Sequence, residues 1–159
     1  MKPVSIGLLV MSLVAMNVQA IEMPLKALDG SNVNLRDFQG KWLVVNYWAT
    51  WCGPCLEEMP ELQAFHDANV DETAMVIGIN SEYIGPQQLQ EFLDNYFITY
   101  PIFLSAPTQE SELGLIPGIP TTFLVTPAGK VVARQIGPIT GEMIERFIQK
   151  WEARELEPG

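Results

Sequence analysis

Cysteine is almost absent from this chain, with two in 159 residues, and histidine occurs once. An ordinary structural zinc site needs four ligands, so two cysteines and one histidine cannot supply it without carboxylates. Basic residues are scarce too: nine Lys and Arg stand against nineteen Asp and Glu, for a formal net charge of −10. That balance argues against nucleic acid and anionic membrane surfaces as partners. No internal repeat and no low-complexity stretch occurs, which leaves the reading of a single globular domain. Charge is missing altogether from residues 3 to 21, after Lys2. Val4 to Met16 is apolar and Asn17-Val18-Gln19-Ala20 carries small residues at the usual cleavage positions, so residues 1–20 read as an export signal cleaved after Ala20. An uncleaved anchor competes with that reading, because the uncharged length is just enough to span a membrane. Either way the folded domain is exported, and no cysteine follows the stretch to accept lipid. Cleavage leaves 139 residues, 21–159, and takes the formal charge from −10 to −11. A chain of that size and 48% hydrophobic content supplies one core.

The two cysteines sit three residues apart in Trp51-Cys52-Gly53-Pro54-Cys55. A disulfide closing so short a loop removes little entropy from the unfolded chain, so the pair is chemical rather than a staple. Lys41 to Trp48 is an apolar, β-branched and aromatic run that reads as a buried strand, with Gly40 marking its start. Gly53 to about Asn69 reads as a helix, with Pro54 tolerable in its first turn and Glu57 and Glu58 early. The motif therefore opens a helix just after a strand. At about 100° per residue, Cys55, Met59, Leu62 and Phe65 share one stripe facing the core. Cys52 lies at the helix start, where free N–H groups and the dipole favour a thiolate. Cys52 is therefore the expected nucleophile.

Asn46-Tyr47-Trp48-Ala49-Thr50-Trp51-Cys52-Gly53-Pro54-Cys55, then Glu58-Met59-Pro60, then Pro120-Thr121-Thr122-Phe123-Leu124 together form a familiar series. The chain resembles the TlpA/ResA-like branch of thioredoxin-fold thiol-disulfide oxidoreductases, and more loosely the CcmG/DsbE cytochrome c maturation proteins. The resemblance covers nearly everything after residue 21. It implies a thioredoxin fold, exchange chemistry outside the cytoplasm, Cys52 attacking, Cys55 resolving and Pro120 as a cis-proline opposite them. An Ile119-Pro120 bond would be expected trans without it. Trp51, Gly53, Pro54 and Ile119 become candidates for contacting the substrate. Trp48 and Trp51 either shape the active-site surface or pack beside the strand.

Six residues before Cys52, where thioredoxin has a buried aspartate, this chain has Asn46, which cannot accept a proton near neutral pH. Glu58 is the expected replacement, since three residues after Cys55 it projects into the apolar stripe. A carboxyl group held there has a raised pKa and can shuttle protons. The plain alternative is a first-turn acid facing the helix dipole, which suits Glu57 and Glu61. His66 lies fourteen residues along the same helix from Cys52, roughly 20 Å away, and is expected to be structural.

The remaining pattern completes an α/β fold with a central mixed sheet flanked by helices. Leu25 to Leu35 around Asp29-Gly30 predicts an N-terminal hairpin, and Thr73 to Asn80 a second central strand. A helix beginning near Pro86 with Leu89, Phe92, Leu93 and Tyr96, then the short Pro101 to Leu104 run, lengthens the central connection. Thr121–Val125 and Val131–Ile136 form a hairpin, followed by a helix burying Ile144, Phe147, Ile148 and Trp151.

Two functional classes follow. In the first, the dithiol reduces protein disulfides, with the Cys52-Cys55 disulfide as its own redox group and no further cofactor. Gly53-Pro54 is the thioredoxin dipeptide and favours a reductant. In an oxidising periplasm such a protein needs electrons from a membrane donor, for which the resemblance implies a DsbD or CcdA type, and a monomer is expected. In the second class, the same cysteines carry a soft ion such as copper(I). That module would add a histidine or methionine beside the motif, and no residue converges on it from sequence.

Overall fold

The computed structural model describes residues 21–156. The expected signal or anchor over 1–20, and a loose tail beyond Leu156, lie outside them. Strands β1 (Pro24–Ala27) and β2 (Asn32–Asn34) form the N-terminal hairpin. Its turn holds Gly30 at φ +85°, a conformation that favours glycine. A 3-10 turn at Leu35–Phe38 follows, closed by reciprocal bonds between Asn34 and Asp37. Next come β3 (Trp42–Trp48), α1 (Gly53–Asn69), β4 (Ala74–Ser81), α2 (Pro86–Asn95) and β5 (Ile102–Ser105). A two-residue-per-strand hairpin, β6 (Glu110–Ser111) and β7 (Gly114–Leu115), precedes β8 (Thr121–Val125), β9 (Val131–Ile136) and α3 (Gly141–Glu155).

Seven strands form one mixed sheet in the order β2-β1-β5-β4-β3-β8-β9. β3 pairs parallel with β4, and β4 with β5, while the other pairings are antiparallel. Parallel neighbours require crossovers, and α1 and α2 provide them. Every residue of β3 is buried, as an apolar run in the middle of a covered sheet should be. Val44, Trp48, Val76 and Leu124 share one core with residues of all three helices. Leu43, Val45, Tyr47 and Ile79, on the opposite face, pack with Leu35, Leu113 and Ile116 instead. The helices therefore cover one face, and the 3-10 turn and the small β6–β7 region cover the other.

Helix α1 runs over the expected residues, and Cys55, Met59, Leu62 and Phe65 are all buried. Pro60 lies inside it without ending it, with its ring exposed to solvent. Trp48 is a packing residue: it is fully buried, with the Phe92 ring 5.8 Å away.

Gly78 in the middle of β4 leaves room for the side chains of Trp48, Tyr100 and Ile102 over the sheet. A Cβ there would lie 3.1 Å from Trp48 Nε1 and 3.2 Å from Tyr100 Cε2, and closer still to Ile102 Cδ1. Gly78→Ala should therefore destabilise the protein by about 1–3 kcal/mol through overpacking. Chemical denaturation of the two proteins measures this, and an unchanged midpoint would show that Ile102 gives way freely.

Candidate active site

The parallel β3–α1–β4 unit brings Cys52 to the carboxyl end of the sheet. Cys52 is the N-cap of α1 with extended backbone, and its Sγ accepts from the Cys55 N–H at 3.3 Å. The sulfur thus occupies the place where a side chain satisfies a free helical donor. Cys52 and Cys55 are joined as a disulfide, with their Cα atoms 5.3 Å apart. Cys55 is fully buried, and Cys52 is only 5% exposed. Both sulfurs are thus largely covered, and the helix N-terminus is what distinguishes Cys52 from Cys55. Trp51, Gly53 and Pro54 are exposed around them.

The Ile119–Pro120 bond is cis, in agreement with the resemblance. Tyr47 pairs with Thr121 in the antiparallel β3–β8 register, so continuing it sets the buried Pro120 level with Trp48, at the end of β3 from which the motif departs. Ile119 is half-buried beside it.

Glu58 is 3% exposed, whereas Glu57 and Glu61 face solvent. Its Oε1 accepts from Asn46 Nδ2 at 2.7 Å and its Oε2 from the Ile139 N–H at 2.8 Å. Asn46 Nδ2 also donates to Thr122 Oγ1 at 3.0 Å. Burial pushes the Glu58 carboxyl up to about 7, against the pull of the Ile139 amide and then of Asn46, both of which favour the charged form. The folded state therefore holds this proton more tightly than an unfolded chain with the ordinary value of 4.5. The associated stability is complete below about pH 4.5 and is lost as pH rises through about 7. Asn46 suits both protonation states, because its amide offers a donor to the carboxylate and, turned over, an acceptor to the acid. Tyr100 is buried nearby, and burial and then the Glu58 charge raise its pKa. Its hydroxyl has no hydrogen-bond partner among the described residues.

Sequence reasoning missed the partners that make this site rigid. Thr122 carried a weak signal, as a hydroxyl in a wholly buried strand that must find a bond. Ile139 contributes only backbone, 81 residues away, and no side-chain pattern announces that. Glu82 was missed as well. Its carboxylate accepts from the Thr50 N–H at 2.7 Å, the Thr50 hydroxyl at 3.1 Å and Asn80 Nδ2 at 2.8 Å. These bonds clamp the turn that leads into Trp51 and Cys52.

His66 is structural, as expected. Its Nδ1 accepts from the Val76 N–H at 3.2 Å, and burial lowers its pKa below 6.5. The unfolded chain takes up that proton more readily, so this contribution to stability falls as pH drops below about 6.5.

Comparison with known proteins agrees with this geometry. The model of the AhpC/TSA family matches residues 16–134. The chain belongs to this family. The chain is similar to the thiol-disulfide oxidoreductase ResA of Halalkalibacterium halodurans, 30% identical over 139 residues, which are 87% of this chain and 78% of that protein. A thiol:disulfide interchange protein from Chlorobium tepidum superposes with a TM-score of 0.71 at 24% identity, covering 82% of this chain and 93% of that one. A secreted thiol-disulfide isomerase from Corynebacterium glutamicum gives 0.71 at 26% identity, covering 79% and 80%. The protein is a thiol-disulfide oxidoreductase of the TlpA/ResA-like, thioredoxin-fold branch.

Two outcomes test the site. Glu58→Gln should remove an inflection near pH 7 from the alkylation rate of the reduced protein and slow release of a mixed disulfide at least about tenfold, while Glu57→Gln leaves both unchanged. Equal effects would reduce Glu58 to a helix-dipole acid. Glu82→Ala should lose about 1–3 kcal/mol of stability by leaving buried donors unpaired, and exchange of the Thr50 amide, followed by NMR, should quicken.

Proposed function

We propose that the protein acts outside the cytoplasm as a reductase of protein disulfides. The observation that carries the reading is Cys52 Sγ at the first turn of α1, with Cys55 buried and Glu58 one turn further on. In the reduced protein the Cys52 thiolate attacks one sulfur of a substrate disulfide, forming a mixed disulfide and releasing the other substrate sulfur as a thiolate. Cys55 gives its proton to the Glu58 carboxylate and attacks Cys52 Sγ. The second substrate thiolate departs, two electrons have passed to the substrate, and Cys52–Cys55 is oxidised. A carboxyl group titrating near 7 is matched to that proton transfer. Pro120 and Ile119, with Trp51, Gly53 and Pro54, form the surface against which the substrate strand lies.

Export is supported by the uncharged stretch before residue 22 and by the location named for the secreted Corynebacterium protein. In an oxidising periplasm, turnover requires a membrane dithiol donor of the DsbD or CcdA type. Cytochrome c maturation, which the resemblance implies, is a setting that needs such a reductant.

The test combines three proteins. Wild type should reduce insulin disulfides, Cys52→Ser should not, and Cys55→Ala should retain its substrate as a mixed disulfide through Cys52. Equilibration with dithiothreitol should place the couple nearer to thioredoxin, about −270 mV, than to DsbA, about −120 mV. A value near the latter would make the protein an oxidant.

A further inference from the structure

Two large aromatic side chains stand in solvent at the disulfide end of the sheet. Trp51 is 71% exposed and Tyr83 is 87% exposed. The residues just before them, Thr50 and Glu82, are bonded to each other twice. Both rings therefore branch from one clamped junction, and Cys52 lies only two residues beyond Thr50, at most about 7 Å of chain. Solvent-facing aromatic rings on a fixed support mark a contact surface.

Tyr83 also lines a shallow groove of about 250 Å³ with Ile84, Leu104, Ala106 and Lys26. Glu82 belongs to the same groove, but its carboxylate is engaged by Thr50 and Asn80. What the groove offers to a visitor is mainly apolar wall. β4 and β5 run parallel to β3, so their carboxyl ends, from which Glu82 to Ile84 and Leu104 to Ala106 project, lie at the end of the sheet from which the motif departs.

We propose that this groove receives an apolar side chain of the substrate polypeptide near the disulfide being exchanged, and that Tyr83 thereby sets a preference for substrates with apolar flanks. The proposal rests on the reductase reading above and deepens it. Glu82 lines the groove and is bonded to Thr50, two residues before Cys52, which points to the substrate as the occupant, and the groove has room for one side chain rather than a helix. The chain's charge of −10 disfavours an anionic bilayer at the same place.

The test uses two synthetic disulfide peptides, one with leucine and phenylalanine beside the cysteine and one with serine and glycine, plus oxidised glutathione as a small disulfide. Reduced wild type should favour the apolar peptide roughly tenfold in kcat/KM. Tyr83→Ser should abolish that preference through KM, leave kcat and glutathione reduction unchanged, and Tyr83→Phe should restore it. A preference that survives in Tyr83→Ser overturns the proposal. So does a parallel fall in glutathione reduction, which would show that Tyr83 merely supports the fold. Wild type that reduces none of the three fails as a reductase, and the proposal falls with that reading.

Discussion

Complete burial of β3 is the constraint from which the site follows. A strand covered on both faces and paired on both edges must be apolar nearly throughout, and any polar side chain in it must find its partners inside. β3 carries one amide, Asn46, and that amide is satisfied by Thr122 on the adjacent strand and by Glu58 on the helix above. β3 has a parallel neighbour on one side and an antiparallel one on the other. Both the outgoing motif and the incoming Pro120 are consequently delivered to one end of the sheet. Glu58 then ties a third element, since its second oxygen holds the backbone that leads into α3.

The buried acid does two things that are usually opposed. Its two donors favour the carboxylate, while the surrounding apolar packing favours the neutral form, and burial prevails far enough to bring the group close to neutrality. Thioredoxin's aspartate sits on the strand; here the strand supplies an amide and the helix supplies the acid. The acid thereby lies on the same element as Cys55, one turn away, so its distance to the Cys55 sulfur is governed by helix geometry rather than by packing between layers.

Much of this was legible because it is local. Strand β3, helix α1 and the buried position of Glu58 follow from periodicity over a few residues, and the β8–β9 hairpin from its Pro-Ala-Gly turn. The apolar stripe continues past Pro60, which lies inside the helix without ending it. Other features are not written locally. The reach of Glu82 back to Thr50 spans 32 residues and depends on where β4 ends relative to β3. The β6–β7 hairpin, with two residues per strand, is too short for any alternation to register. The cis bond before Pro120 came from resemblance alone, since neither Ile119 nor its neighbours encode it energetically in a visible way. The single-sided placement of the helices is a property of the order of parallel strands, which requires knowing the pairing first.

Helix α3 begins beside Glu58 and ends beside the start of β3, where Trp42 Nε1 donates to Glu152 at 3.0 Å. Its fifteen residues span about 22 Å, so its last turn stands at the pole opposite the disulfide. A linker, fluorophore or electrode attachment fused at that turn would leave the reactive face pointing outward. The fold thus has a built-in handle: oriented immobilisation, or fusion to a second domain, can be made there without crowding the exchange surface.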